Sequence, residues 1–181
     1  MKHIISSIAL AASALIFSSC GSVSEVAPTT GATVNKYSKV VVKDFAYKGD
    51  TSEVNGPASS TTFPRIIASE VTKKGAFTSV SQNGKAGSDS LIITGDVTRY
   101  VAGNAALRMM VGFGAGSSYF DADVRFIDGA SGKVIGTMKA DKNSWGLGGG
   151  LASGQTPETF MQGSAKKIAE ESFKFSKKAA N

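Results

Sequence analysis

Three features of the sequence predict an α+β domain, a mostly antiparallel sheet with two helices packed on one face. Tyr119 to Asp141 alternates apolar and polar residues on either side of the turn Asp128-Gly-Ala-Ser-Gly132, the pattern of a half-buried hairpin. Two segments, one opening near Pro64 and one at Pro157, carry apolar residues at helical spacing between start and stop signals. The order strand, helix, several strands, helix fits helices laid on an antiparallel sheet.

The 181-residue chain opens with a basic Met1-Lys2-His3, an apolar run from Ile4 to Phe17, and the small residues Ser18 and Ser19. That order is a secretory signal over residues 1–19. The run is shorter than the roughly 20 residues a helix needs to cross a bilayer. Small residues before the single cysteine resemble the lipobox of bacterial lipoproteins, with Phe17 where that family usually has leucine. The resemblance implies cleavage between Ser19 and Cys20 and acylation of the Cys20 thiol, and Gly21 after the cysteine fits sorting to the outer membrane, facing the periplasm. Each buried methylene adds about 0.8 kcal/mol, and two chains convert marginal binding into stable anchoring. The alternative is an ordinary secretory signal that leaves a free thiol.

Residues 20–36, rich in Ser, Thr, Ala and Gly, read as a flexible linker to a single domain over residues 37–178, the alternative being that part of it, with Val23 and Val26, adds an edge strand. Val40-Val41-Val42 reads as a strand buried on both faces. Thr62-Phe63-Pro64 opens a helix with Pro64 in its first turn, a mostly apolar face of Phe63, Ile66, Ile67, Glu70 and Val71, and Gly75 as the stop. Phe77 to Gln82 is a short strand, followed by the turn signal Asn83-Gly84. Leu91, Ile93, Gly95 and Val97 share one face of the next strand, with Thr94, Asp96 and Thr98 on the other, wet face. Ala105 to Gly116 fits strand or helix. The closing helix takes Thr156 as N-cap, Pro157 at its first position and a stripe of Met161, Ala165, Ile168, Ser172 and Phe175, with Glu170 and Lys174 paired outside.

The formal net charge of +6 favours anionic partners, but the Lys and Arg residues are scattered, and export argues against nucleic acid. The only histidine, His3, lies in the leader, and Cys20 is used by the anchor. Ser-His-Asp and Cys-His catalysis and His/Cys zinc sites are thereby excluded, so no enzyme activity and no cofactor are expected. Gly112-Phe-Gly-Ala-Gly116 precedes a strand rather than a helix, which argues against nucleotide binding. Asp121 and Asp123 share one strand face and could hold a hard cation, although a solvated face accounts for them as well. The glycine-rich loops read as turns or as the lips of a binding surface, with Phe113, Gly114, Gly116, Tyr119 and Trp145 as contacts.

Tyr37-Ser-Lys-Val-Val-Val42, the helix at Pro64, Val111-Gly-Phe-Gly-Ala-Gly-Ser117, the turn Asp128–Gly132 and the closing helix together resemble a family of bacterial lipoproteins carrying domain of unknown function 4410. The resemblance implies an envelope lipoprotein and carries no catalytic residues. The element order is similar, more distantly, to the periplasmic domain of the curli secretion channel lipoprotein. The expected function is a membrane-anchored, non-catalytic module that binds another envelope protein. The alternative is a lipoprotein subunit of an oligomeric secretion channel or envelope assembly complex.

Overall fold

The computed structural model describes residues 21–30, 36–111, 115–144 and 155–177. The strands are β1 (Gly21–Val23), β2 (Ala27–Pro28), β3 (Lys39–Val42), β4 (Ala46–Tyr47), β5 (Ser79–Gln82), β6 (Ser90–Val101), β7 (Tyr119–Asp128) and β8 (Val134–Asn143). Helix α1 is Gly56–Lys74, α2 is Ala105–Met110 and α3 is Pro157–Phe173. They build one sheet in the order β1-β8-β7-β6-β3-β5, with β2 also on β8 and β4 also on β6.

The three long strands pair antiparallel, and the β7–β8 hairpin lies where the alternation places it. The sheet as a whole is mixed, because β3 pairs in parallel with both β5 and β6, and β4 pairs in parallel with β6. The cause is connectivity: β3 and β5 are joined through α1, and a strand–helix–strand crossover returns the second strand in the same direction. The unbroken run Val40–Val42 is buried throughout, as suits a strand covered on both faces.

Helix α1 starts at Gly56, not at Thr62, so Pro64 lies in its interior and Pro57 in its first turn. An interior proline cannot donate to the carbonyl one turn back, here that of Ser60. That carbonyl instead accepts from the Phe45 N–H at 2.9 Å, so a neighbouring loop satisfies the group the proline leaves open. Gly75 ends the helix in the left-handed conformation, φ 60°.

Alternation along β7 buries Phe120, Ala122, Val124 and Phe126 and half-exposes the residues between them. Phe63 of α1 meets Phe45 and Phe120 edge to face, with ring centroids 5.4 and 4.8 Å away. Phe126 stacks on Phe175, just beyond α3, at 5.2 Å. Helix α1 packs on α3 and touches β3 to β6, while α3 touches β7 and β8. Thr156 caps α3 in a reciprocal box with Thr159. The expected Glu170–Lys174 pair is not formed: Glu170 faces Lys74 at 3.7 Å and Lys174 reaches Glu171 at 2.7 Å.

Residues 21–28 differ from the flexible linker expected of them. Both β1 and β2 pair antiparallel with β8. Between them the Val26 N–H donates to Glu171 Oε2 at 2.9 Å, and Glu171 also holds Lys174 and Lys167. Gly136 makes room for this strap, since a Cβ there would stand 2.8 Å from Val26 Cγ2. Those partners are more than 100 positions away along the chain, so the only local trace of them is the pair Val23 and Val26.

Candidate interaction surface

One end of the sheet, formed by the C-terminal ends of β6 and β8 and the start of β7, holds Gly116 and Tyr119, two of the residues singled out from the sequence. We call it the loop pole. A buried serine seam closes it: Ser118 N–H donates to Ser144 Oγ at 2.8 Å, Ser144 N–H donates to the Ser118 carbonyl at 3.1 Å, and Ser118 Oγ donates to the Ala102 carbonyl at 2.7 Å. The Asn104 N–H donates to the Gly116 carbonyl at 2.8 Å, and Asn104 caps α2 by accepting from the Leu107 N–H. Gly116 has φ +69°, and a Cβ there would stand 2.5 Å from the Asn104 carbonyl oxygen. Only glycine fits such a close approach at positive φ.

Tyr119 is half-buried, with the Arg99 guanidinium 3.6 Å from its ring centroid, a geometry that favours the cation. Gly116 and Tyr119 are thus brought together at the root of one loop. Phe113, Gly114 and Trp145 lie outside the described residues, as do Ser19 and Cys20. The ambiguous segment from Ala105 resolves first into α2, whose Ala105, Ala106, Leu107 and Met110 are all exposed.

Below the pole, the polar sheet face is laced by charge. Arg125 pairs with Asp96 at 2.6 Å, and Lys139 with Asp123 at 3.6 Å. Asp121 and Asp123 share this face, as their spacing requires, and line a shallow cleft of about 320 Å³ with Thr98, Lys139 and Asp141. Burial, then the neighbouring Asp141 charge, pushes the Asp121 carboxyl above the usual aspartate range, against the pull of Arg99. A cation is already present at Asp123 in the form of Lys139. Among the described residues no three His, Cys, Asp or Glu side chains group as metal ligands.

A second cleft, of about 280 Å³, lies between the starts of α1 and α3 and is lined by Asn55, Ser59, Thr62, Tyr100, Glu158 and Met161. The Tyr100 hydroxyl donates to Glu158 Oε1 at 2.5 Å. Burial, and then the carboxylate, raise the Tyr100 pKa, whereas Glu158, despite its own burial, is held below the usual glutamate range by that hydroxyl. The pair therefore stays a phenol and a carboxylate at neutral pH, which suits pinning α3 to β6 and not proton transfer. Reading the sequence missed this pair because 58 positions separate its members and neither belongs to a motif.

Residues 32–148 match the family described as domain of unknown function (DUF4410). The chain belongs to the DUF4410 family. The DUF4410 fold is similar to that of the PelC dodecamer from Paraburkholderia phytofirmans, at TM-score 0.55 and 17% identity over 83% of this chain and 96% of that one. A leucine-to-methionine variant of that dodecamer aligns at TM-score 0.51 and 18% identity, covering 82% of this chain and 97% of that one. Protein XCC0632 from Xanthomonas campestris, of family DUF330, aligns at TM-score 0.53 and 9% identity, covering 86% and 94%. No curated protein matches the sequence. At these identities the likeness is one of fold.

Proposed function

We propose that this DUF4410 chain is exported, anchored through lipid on Cys20 at the outer membrane, and that its non-catalytic domain works in the periplasm by binding another envelope protein. The observation that carries the reading is the position of β1. Gly21, which follows Cys20 directly in sequence, is already paired with Lys142. A domain attached so closely presents one fixed orientation to whatever meets it at the membrane, which suits docking. Both long helices covering one sheet face would leave the charged face of Asp96, Asp123, Arg125 and Lys139, or the exposed edge strand β5, to the partner. The absence of histidine beyond the leader supports the non-catalytic reading. Labelling cells with a tagged fatty acid tests the anchor: wild type takes the label and Cys20→Ser does not, and equal labelling of both refutes it. Crosslinking in cells, with capture through the carboxyl end, recovers the partner.

The second reading is a ring of copies, and the fold shared with PelC, solved as a dodecamer, favours it. Among the described residues the sheet ends in β5 on one side and β1–β2 on the other, and two such edges suit head-to-tail contact. Light scattering in detergent separates the two, because a closed ring supports the assembly and a monomer excludes it.

A further inference from the structure

Four of the five large hydrophobic side chains exposed among the described residues lie at the loop pole: Val54 (91% exposed), Met110 (84%), Val111 (57%) and Leu107 (46%). The fifth, Phe173, ends α3 away from it. Val54 joins the others because its neighbour Glu53 accepts from the Ala102 N–H, at the root of α2. Such clustering on a surface marks a site of contact with something apolar.

The chain itself says what lies there. Strand β8 runs toward the loop pole and β1 runs antiparallel to it, so Gly21, next in sequence to Cys20, stands at this pole beside Lys142. In the order β1-β8-β7-β6, three strand spacings of ~4.8 Å put Gly21 about 14 Å from the strand that leads into α2. The charge pattern agrees. Residues 102–117, which carry α2, contain no acidic residue and one cation, Arg108, and residues 144–156, between β8 and α3 in sequence, contain no charge at all, in a chain that is 19% charged. The opposite end of the sheet carries Asp89 just before β6, Asp128 at the end of β7 and Lys133 just before β8.

We infer that Val54 and the α2 segment, through Leu107, Met110 and Val111, form a membrane-contact patch seated in the interfacial layer of the bilayer that holds the Cys20 lipids. The inference rests on the anchor reading and goes beyond it: the anchor says that the domain is near a membrane, and the patch says which end touches it. A cluster of exposed apolar side chains beside an acyl anchor has the chemistry of an interfacial contact, with those side chains at the acyl boundary. It fixes the opposite pole, with the Asp128–Gly132 turn, as the end farthest from the membrane.

The test uses the full chain, processed in cells and reconstituted in phospholipid vesicles, with a fluorophore on Met110→Cys or on Phe173→Cys. Both sites are exposed, so neither change disturbs the core. Because the acyl chains occupy the Cys20 sulfur, only the introduced thiol takes the fluorophore. A side chain seated ~5–10 Å into the headgroup and acyl boundary lies within reach of acyl-borne quenchers, so brominated lipids should dim position 110 by about half or more and leave position 173 unchanged. Equal response at the two positions, in protein carrying the fatty-acid label, overturns the inference. So does a position 110 shielded from aqueous iodide yet insensitive to brominated lipid, which would mean that a protein surface covers the patch. Failure of the anchor itself reads out separately: the unsubstituted chain then takes up fluorophore at Cys20 and carries no fatty-acid label, which removes both the anchor and the patch.

Discussion

Asp128 ends β7 and opens the turn into β8, and its carboxylate collects donors from parts of the chain that lie 91 positions apart. The Tyr37 hydroxyl donates to Oδ1 at 3.0 Å, and the Ser131 N–H and hydroxyl donate to Oδ2 at 3.0 and 2.5 Å. Asp128→Asn keeps the shape, removes the charge and places an NH₂ where one of these donors points. Hydrogen bonds to an ionised group are worth roughly 1.5–3 kcal/mol against roughly 0.5–1.5 for neutral ones, so three of them losing charge assistance predicts a loss of about 2–3 kcal/mol. For a domain of this size that is a fall in Tm of about 5–10 °C. The Ser131 hydroxyl, opposed by burial and helped by the Ser131 amide, Tyr37 and the Ala130 amide, holds the Asp128 carboxyl below the usual range. A carboxyl lowered on folding stabilises the fold fully above its unfolded value, about 3.9, and that contribution is lost as the pH drops through the folded value. The gap between wild type and Asp128→Asn should therefore be widest at neutral pH and close in strong acid. Urea denaturation followed by circular dichroism at several pH values measures it. Equal midpoints at neutral pH, or a gap that ignores pH, would refute the reasoning.

Phe63→Ala removes the ring wedged between Phe45 and Phe120 and should cost about 3–5 kcal/mol, seen as a lower urea midpoint with unchanged slope. Gly95→Ala should destabilise by at least the ~1–3 kcal/mol typical of overpacking, because its Cβ would collide with the Asp123 carbonyl oxygen and stand 2.6 Å from Phe45 Cε2. Asp121→Asn should stabilise the protein at neutral pH, because burial and Asp141 raise that carboxyl and penalise its charged form; thermal melts should show the advantage fading toward pH ~4 as wild type takes up the proton. Glu171→Gln should loosen the strap, read as faster amide hydrogen exchange at Val23 and Val26 with exchange in β7 unchanged.

Where information was local, the sequence disclosed it. The hairpin from Tyr119 to Asp141, the cap at Thr156, the stop at Gly75 and the two-faced pattern of Leu91 to Thr98 each rest on residues a few positions apart, and the structure places each accordingly. The start of α1 was hidden because Pro64 reads as a helix opening, and only the Phe45 amide on the Ser60 carbonyl explains how a helix passes through it. For the candidate surface, Gly116 and Tyr119 were legible as loop residues, whereas the Arg99 stacking on Tyr119 and the Tyr100–Glu158 pair were not, since neither involves a periodic or motif position.

By itself the sequence determined that an apolar leader ends in small residues before the single cysteine, that no histidine follows it, and that alternating strands and capped helices come after. These are properties of neighbours along the chain, where side-chain period and turn chemistry act directly. Tertiary structure alone decided that β3 runs parallel to β5 and β6, that residues 21–28 join the sheet, and that exposed apolar residues collect at the end of the sheet where β1 begins. Each of those depends on which distant segments share a sheet edge, and that pairing is set by burial and backbone hydrogen bonding across the whole domain.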